Sequence, residues 1–188
     1  MTDPLAEYQR KRDLSKTPEP GPRDAKKKSG DPIFVIQQHA ARRMHWDFRL
    51  EVDGVLKSWA VPKGPSLNPS VKRMAVPTED HPMEYASFEG VIPPGNYGAG
   101  RVIVWDMGTY APLGDKSTRD GLRTGHISFA LVGHKLIGGF ALTRVSRGDE
   151  ENWLLVKMDD QYADRKTEIV TARPESVLSG KTIDEIAA

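Results

Sequence analysis

The segment HWDFRLEVDGVLKSWAV, residues 45–61, gives the clearest indication of the fold of this chain. Its first half alternates apolar with polar residues, the period-two pattern of a strand that buries one face. Trp46, Phe48, Leu50 and Val52 form the apolar set. Asp53-Gly54 then supplies two residues that tolerate positive φ, so a two-residue hairpin turn should return the chain through Val55 to Val61.

Further strands are predicted on both sides of this hairpin. IFVIQQ (residues 33–38) is rich in β-branched and aromatic residues, and later strand-like segments are separated by glycine, proline or polar residues. These later segments are Arg73–Pro77, Arg101–Asp106, Ile127–Val132, Lys135–Arg144 and Trp153–Met158. Gly133-His134 is a second candidate hairpin turn. Many short strands without a long amphipathic helix indicate a mainly β protein, an antiparallel barrel or sandwich around one core.

The flanking segments divide the chain into three parts. Residues 1–31 are polar, rich in proline and charge, and include Lys26-Lys27-Lys28, which predicts a mostly irregular N-terminal arm. Residues 32–173 form the β domain, and residues 174–188 read as a short C-terminal helical tail. Within the domain, the glycine-rich PPGNYGAG (residues 93–100) is interpreted as a turn connector.

Composition limits the classes of function. A chain of 188 residues fits one domain, and the absence of cysteine excludes disulfides, thiolate metal sites and a cysteine nucleophile. No signal peptide or membrane-spanning run is visible, so a cytoplasmic, monomeric protein without a membrane partner is expected. The net charge of +1 does not by itself indicate a nucleic-acid partner.

The segment HAARRMHWDFRLE (residues 39–51) carries the main chemical signal. Strand periodicity places His45, Asp47 and Arg49 on one face, with His39 close by. The predicted turn sets small residues, Ala60 and Ser58, opposite Asp47 and Arg49, which leaves room for a ligand. Two imidazoles and a carboxylate suit Mn²⁺, Fe²⁺ or Zn²⁺, and Arg49 beside them suits a phosphate. The alternative is a solvated polar strand face with Arg49 paired to a carboxylate.

A second group of polar residues follows in TEDHPMEYASFEG (residues 78–90), which contains Glu79, His81 and Tyr85. The two acids before His81 are expected to raise its pKa, which suits a proton donor or a phosphate ligand. Lys63 and Arg73 flank a nearby loop and are candidate phosphate contacts. A solvated loop histidine and solvated cations are the alternatives. His126 and His134 are left outside the site.

Three longer segments resemble a known family, the 3′-phosphoesterase module of bacterial DNA ligase D. They are QQHAARRMHWDFRLEVDGVLKSWAVPKGPS, MAVPTEDHPMEYASFEGVIPPGNYGAGRVIVWDMGTY and NWLLVKMDD. The resemblance extends from about Tyr8 to the C-terminus. It implies a compact β-barrel with a groove for a catalytic metal, usually Mn²⁺.

The resemblance also implies roles for individual residues. His39, His45 and Asp47 match the metal ligands, and Arg49, His81 and Tyr85 match catalytic residues that engage the phosphate. Further positions tied to activity or substrate binding match Lys63, Arg73 and Glu79, and KRDLSKTPEP in the arm adds Arg12, Asp13 and Glu19. Leu14 stands where this segment of the family carries phenylalanine.

The implied activity is the processing of DNA 3′ ends for end joining. A phosphodiesterase step removes a 3′-terminal ribonucleoside and leaves a 3′-phosphate, and a phosphomonoesterase step restores the 3′-hydroxyl. The expected partners are a DNA primer–template with a 3′-ribonucleotide or 3′-phosphate end, together with ligase or polymerase components of end joining. The sequence contains no ligase or polymerase domain, so sealing activity should be absent.

Two other functions fit the same residues. His45, Asp47 and His81 match the facial triad of non-haem Fe(II) oxygenases, although this reading leaves His39 and the cations unused. A non-catalytic module that binds DNA ends is the second, and it predicts that replacing His39 or Asp47 leaves function intact.

Overall fold

The computed structural model describes residues 3–22, 30–147 and 149–187, and all statements about structure refer to these residues. The strands in chain order are β1 Ile33–Ala40, β2 Met44–Val52, β3 Val55–Val61, β4 Arg73–Pro82, β5 Gly90–Ile92, β6 Gly100–Pro112, β7 His126–Gly133, β8 Ile137–Arg147 and β9 Glu150–Lys157. The α-helices are α1 Ala6–Arg10, α2 Thr118–Thr124 and α3 Ile169–Ala172. Met83–Ser87 and Ile183–Glu185 form 3₁₀ helices.

Eight of these strands form a closed antiparallel barrel. Their hydrogen-bonded order is β1-β2-β3-β4-β9-β8-β7-β6, and β6 pairs with β1 to close the ring, while β5 adds to β6. The eight strands predicted from the sequence are the eight strands of the barrel, with ends that differ by a few residues. Strand β5 was not predicted. The mainly β fold class and the barrel are therefore confirmed.

The predicted hairpin between β2 and β3 is confirmed together with its register. Asp53 and Gly54 have φ of 52° and 82°, the left-handed conformation that a two-residue hairpin turn requires. Asp47 lies opposite Ala60 and Arg49 lies opposite Ser58, as predicted. The second predicted turn also joins two strands, since β7 ends at Gly133 and pairs with β8.

Two hydrophobic clusters lie on opposite faces of the barrel wall. The larger cluster fills the interior and contains Phe34, Ile36, Phe48, Leu50, Trp59, Val61, Phe129, Leu131, Phe140, Leu142, Trp153 and Leu155, among others. The smaller cluster covers the outer face and contains Tyr8, Val35, Leu56, Tyr85, Ala86, Phe88, Ile92, Val102 and Val104. Side chains alternate across each strand, so the residues next to Phe48 and Leu50 in β2 point to the outer face.

The predicted C-terminal helix is wrong in its extent. Within residues 174–187 only Ile183–Glu185 is helical, as a 3₁₀ turn, and the α-helix α3 lies earlier, at Ile169–Ala172. Gly180 has φ of 75°, which interrupts a helix, and tertiary contacts hold the segment instead. Ile183 and Ile186 pack on Ile103 of β6.

The N-terminal arm has some regular structure, in helix α1, and its Tyr8 is fully buried. The lysine run at residues 26–28 lies outside the described residues. The division into residues 1–31, 32–173 and 174–188 stays a prediction, as does the cytoplasmic location. Among the described residues, no helix has the length and apolar character needed to cross a membrane.

Candidate active site

The candidate site lies on the outer face of the barrel, where strands β1 to β4 meet the N-terminal arm. The β1–β2 pairing sets His39 directly opposite His45 and Gln37 opposite Asp47. Because residues two apart on a strand share a face, these side chains point together away from the interior core.

Three of these side chains form a group with the donor set of a metal site. His39, His45 and Asp47 each offer one ligand atom, and the three atoms lie within 4.8 Å of one another. The Asp47 Oδ2 atom is 3.6 Å from His39 Nδ1 and 3.2 Å from His45 Nε2. Among the described residues this is the one group of three or more such side chains that could hold a metal ion.

Backbone carbonyls fix both imidazoles so that a lone pair faces Asp47. His39 Nε2 is 2.6 Å from the carbonyl oxygen of Gly98, and His45 Nδ1 is 3.0 Å from that of Arg43. A carbonyl only accepts, so these nitrogens carry the protons, which leaves His39 Nδ1 and His45 Nε2 unprotonated in the neutral rings. Metal-binding histidines are oriented in this way, so the residues fit a divalent cation.

Electrostatics support the same assignment. Burial by itself would raise the pKa of Asp47, but the Arg49 guanidinium and the hydrogen bonds that both histidines donate when they are protonated hold this pKa well below its usual value. Burial opposes a charge on His45, yet the Asp47 carboxylate raises the pKa of His45. Two imidazole lone pairs beside an ionised carboxylate require a positive charge, which a proton or a metal ion can supply.

Arg49 is buried beside this group and is held in one orientation. Its Nε donates to Gln37 Oε1 at 2.7 Å, its Nη1 donates to Ser58 Oγ at 2.9 Å, and its Nη2 is 3.5 Å from Asp47 Oδ2. Gln37 is fixed in turn by donating to the carbonyl oxygens of Tyr85 and Phe88. A guanidinium fixed next to a metal group is suited to bind a phosphate oxygen.

His81 also lies in the site, but its predicted pKa shift is wrong. Burial lowers the pKa of His81 well below its usual value, and the nearby charges of Arg49 and Arg12 lower it further. Glu79 Oε1 is 4.0 Å from His81 Nε2, and the Asp80 side chain turns away to bind Lys57. The sequence contains the two acids, but it does not reveal the burial and the two arginines that outweigh them.

His81 is therefore neutral near pH 7, with identifiable neighbours for both nitrogens. Nδ1 is 2.9 Å from the Glu79 carbonyl oxygen, and Nε2 is 3.4 Å from Arg12 Nη2. With Nδ1 protonated, Nδ1 donates to the Glu79 carbonyl and Nε2 accepts from Arg12, and the 3.2 Å contact between Nδ1 and Arg49 Nη1 is then not a hydrogen bond. His81 is not a member of the group formed by His39, His45 and Asp47. The oxygenase ligand set of His45, Asp47 and His81 is thus not the one assembled here.

The arm closes the site with a buried network of charges. Arg12 binds Glu19 at 2.9 Å and Glu79 at 3.1 Å, and all three side chains are at most 5% exposed. The hydroxyl of Tyr85 donates to Glu19 Oε2 at 2.7 Å. Burial raises the pKa of Tyr85 well above its usual value, and Glu19 adds to this effect, so Tyr85 is a hydrogen-bond donor rather than a phenolate.

These residues surround an open cavity of about 290 Å³. Predicted site residues that line it are Arg12, His39, His45, Asp47, Arg49, Glu79, His81 and Tyr85. Glu19 lies behind them, through its contacts with Arg12 and Tyr85.

The other three predicted residues do not line the cavity. Asp13 is exposed and accepts hydrogen bonds from Ser15. Lys63 is exposed in the turn after β3. Arg73 binds Glu168 at 3.1 Å. Their roles in activity stay predictions.

Some residues that line the cavity were not predicted from the sequence as site residues. Tyr97 and Gly98 belong to the glycine-rich loop that was interpreted as a turn connector; the loop does connect β5 to β6, and it also forms a wall of the cavity. Thr78 lines the cavity with a buried hydroxyl oxygen that has no hydrogen-bond partner among the described residues. The unusual density of glycine and proline in residues 93–100 was the available signal for the loop, whereas nothing in the sequence marked Thr78.

Comparisons with known proteins relate this arrangement to a family. A family model described as the DNA ligase D 3′-phosphoesterase domain matches residues 37–144. The multifunctional non-homologous end joining protein LigD of Pseudomonas aeruginosa is 54% identical over 184 residues, which is 96% of this chain and 22% of that protein. Two further relatives share a similar name.

The multifunctional non-homologous end joining DNA repair protein LigD of Mycobacterium tuberculosis is 49% identical over 181 residues, 96% of this chain and 23% of that protein. The corresponding LigD protein of Mycolicibacterium smegmatis is 44% identical over 179 residues, 93% of this chain and 22% of that protein. The chain thus spans less than a quarter of the length of these curated relatives.

Proposed function

The chain belongs to the DNA ligase D 3′-phosphoesterase domain family, and from this premise we propose that it is a metal-dependent phosphoesterase that processes DNA 3′ ends in end joining. The observation that carries the proposal is the convergence of two oriented imidazoles and an ionised carboxylate beside the fixed guanidinium of Arg49. A metal group and a phosphate-binding cation in one cavity suit the hydrolysis of a phosphate ester.

We assign the metal to His39, His45 and Asp47 and propose Mn²⁺ as the ion, with other divalent metals as substitutes. Nitrogen and carboxylate ligands suit Mn²⁺, and the open cavity leaves space for water and substrate on the same ion. When bound, the metal would supply a Lewis acid that polarises the phosphate and offsets its charge.

The protein residues would position the phosphate and stabilise its charge. Arg49 can contact a phosphate oxygen without reorganising, because Gln37 and Ser58 already hold its guanidinium. Neutral His81 does not donate a proton to the leaving oxygen at pH 7, so we assign it to positioning Arg12, whose guanidinium can donate to Nε2. Tyr85 supports Arg49 from behind, with its ring centre 5.0 Å from the guanidinium carbon.

The proposed substrate is a primer–template whose primer ends in a ribonucleotide or a 3′-phosphate. In the phosphodiesterase step, water attacks the last phosphorus, the bond to the 5′ oxygen of the terminal nucleoside breaks, and that oxygen takes a proton. In the phosphomonoesterase step, water attacks the phosphorus of the remaining 3′-phosphate, the bond to the 3′ oxygen breaks, and that oxygen takes a proton, which gives inorganic phosphate and a 3′-hydroxyl. We propose that the product passes to ligase or polymerase components of end joining and that the chain acts as a monomer.

The test is an assay with a 5′-labelled primer–template ending in one ribonucleotide, with Mn²⁺ and without dioxygen. We expect the primer to shorten first to a 3′-phosphate and then to a 3′-hydroxyl. The Asp47→Asn variant should be slower by more than about 100-fold, since it loses the charged ligand. Asp80→Asn is the matched control, because Asp80 binds Lys57 and does not line the cavity.

An intact primer would contradict the proposal. If the wild-type protein bound this primer tightly and Asp47→Asn bound it equally well, the chain would be a non-catalytic module that binds DNA ends. Cleavage that required dioxygen would instead point to an oxygenase.

A further inference from the structure

Tyr97 is an aromatic residue at the rim of the cavity to which the proposed reaction assigns no role. It lies in the loop between β5 and β6, and 47% of its surface is exposed although it lines the same cavity as Asp47 and Arg49. A large ring held half in solvent beside a charged site presents apolar surface that a ligand can cover.

The loop that carries Tyr97 is anchored on both sides of the ring. The next residue, Gly98, accepts a hydrogen bond from His39 Nε2 at 2.6 Å and adopts φ of 73°. The preceding residue, Asn96, donates to the carbonyl oxygen of Lys16 in the arm and to that of Pro93. The position of Tyr97 is therefore set by a candidate metal ligand and by the arm together.

Two cations of the arm contact the ring. Lys11 Nζ is 4.7 Å from the ring centre and 3.3 Å from the hydroxyl oxygen, and the guanidinium carbon of Arg12 is 5.3 Å from the ring centre. These contacts fix the ring and place positive charge next to its exposed surface. An aromatic surface beside cations is the combination that binds single-stranded nucleic acid, in which bases stack and phosphates pair with cations.

We propose that Tyr97 is a stacking platform for a nucleobase of the substrate, one of the two bases that flank the reacting phosphate. The inference deepens the proposed function and rests on it. Stacking on a ring face tolerates any base, so Tyr97 would add affinity for a splayed 3′ end without selecting its sequence.

The experiment compares Tyr97→Ala and Tyr97→Phe with the wild-type protein. Affinity for a fluorescein-labelled primer–template with a 3′-ribonucleotide is measured by anisotropy in EDTA, and kcat/KM is measured with Mn²⁺. Base–aromatic stacking predicts that Tyr97→Ala weakens affinity about 5- to 100-fold, while Tyr97→Phe stays within about twofold of wild type. Tyr162→Ala is the matched control, since Tyr162 is similarly exposed and lies outside the cavity.

Abasic substrates separate stacking from a structural role. Two further primers lack either the terminal or the penultimate base. With the primer that lacks the stacked base, Tyr97→Ala should bind as tightly as the wild-type protein. The affinity for Mn²⁺ should stay unchanged in Tyr97→Ala. A penalty that persisted with both abasic primers, or a loss of Mn²⁺ affinity, would overturn the inference and make Tyr97 a support for His39.

Failure of the proposed function is distinguishable from failure of this inference. If wild type bound the primer without cleaving it, the proposed activity would fail while the affinities still tested Tyr97. If wild type cleaved the primer and Tyr97→Ala matched it in affinity and kcat/KM, only the inference would fail. A wild-type protein that neither bound nor cleaved the primer would overturn both.

Discussion

For His39 and His45, the surrounding backbone determines which ring nitrogen carries the proton. Both expose a lone pair to Asp47, yet each is oriented by a different carbonyl, that of Gly98 and that of Arg43. Strand periodicity predicted that His45 and Asp47 share a face, whereas His39 was grouped with them by its closeness in sequence and by the family resemblance. The protonated nitrogen of each ring was not predictable, because it depends on a loop about 60 residues away in one case and on local backbone geometry in the other.

For His81, the local sequence led to a wrong prediction of the direction of its pKa shift. Local sequence suggested a raised pKa, whereas burial under the arm and the charges of Arg49 and Arg12 lower it. The arm is about 70 residues away in the chain, so no local pattern around His81 reports its contact with Arg12. Desolvation of a charged group commonly outweighs a single nearby acid when other cations are present.

The low pKa of His81 predicts a specific dependence of stability on pH. Below the pKa of the unfolded state, near 6.5, the unfolded chain binds a proton that the folded protein excludes. The free energy of unfolding should therefore fall as pH decreases from 7 to 5, by at most about 1.4 kcal/mol per pH unit from this one group. Urea unfolding in EDTA at several pH values measures this effect.

The His81→Gln variant should lose less stability than wild type over the same pH range. His126→Gln is the control, because His126 is exposed and hydrogen-bonded to Thr143 and Ser128. Equal pH dependence in wild type and His81→Gln would mean that folding leaves the pKa of His81 unchanged.

At the scale of the elements, the β2–β3 hairpin was the most predictable part. Its turn contains two residues that accept positive φ, and a two-residue turn leaves one register between the strands. The closure of the barrel by β1 and β6 was beyond local reasoning. These strands are about 65 residues apart, and a bulge between Ile36 and Gln37 shifts their register.

The register predicts the effect of enlarging the residue opposite Asp47. Ala60 lines the cavity, so Ala60→Leu should place a larger side chain where we propose that the phosphate binds. We expect kcat/KM on the ribonucleotide-ended primer to fall at least about tenfold, while the affinity for Mn²⁺ stays close to wild type. Steady-state kinetics and a metal titration provide the two values.

Ala130→Leu is the matched control for this substitution. Ala130 is also a half-buried strand alanine between two residues of the interior core, Phe129 and Leu131, but it lies on β7 and outside the cavity. If both leucine variants kept full activity, the substrate would not enter the cavity beside Asp47.

In the molecule as a whole, the candidate site is formed by the barrel and the N-terminal arm together, since Arg12 of the arm lines the cavity. The sequence predicted a mostly irregular arm, and the resemblance supplied Arg12 and Glu19 as residues of interest. The buried ion pairs of Arg12 link the arm to β4 through Glu79. Composition could not reveal them, because charged segments rich in proline are usually solvated.

Removal of the Arg12 side chain should destabilise the molecule strongly. Arg12→Ala leaves the carboxylates of Glu19 and Glu79 buried without this partner, and such a loss costs about 3–5 kcal/mol of unfolding free energy. Arg10→Ala, in the adjacent turn of the arm, should change stability by less than about 0.5 kcal/mol, since its side chain is 76% exposed. Urea unfolding of both variants tests whether the arm is part of the folded unit; similar stabilities would show that it is not.

We propose that one divalent metal ion held by His39, His45 and Asp47 is required for cleavage of the 3′ end. Metal-stripped protein should be titrated with Mn²⁺ while bound ion, by electron paramagnetic resonance, and primer cleavage are followed in the same samples. Both signals should rise together and saturate at one ion per chain, and Asp47→Asn should show neither at the same concentrations. Cleavage by the stripped protein in EDTA, or full cleavage by Asp47→Asn, would show that this metal ion is not required.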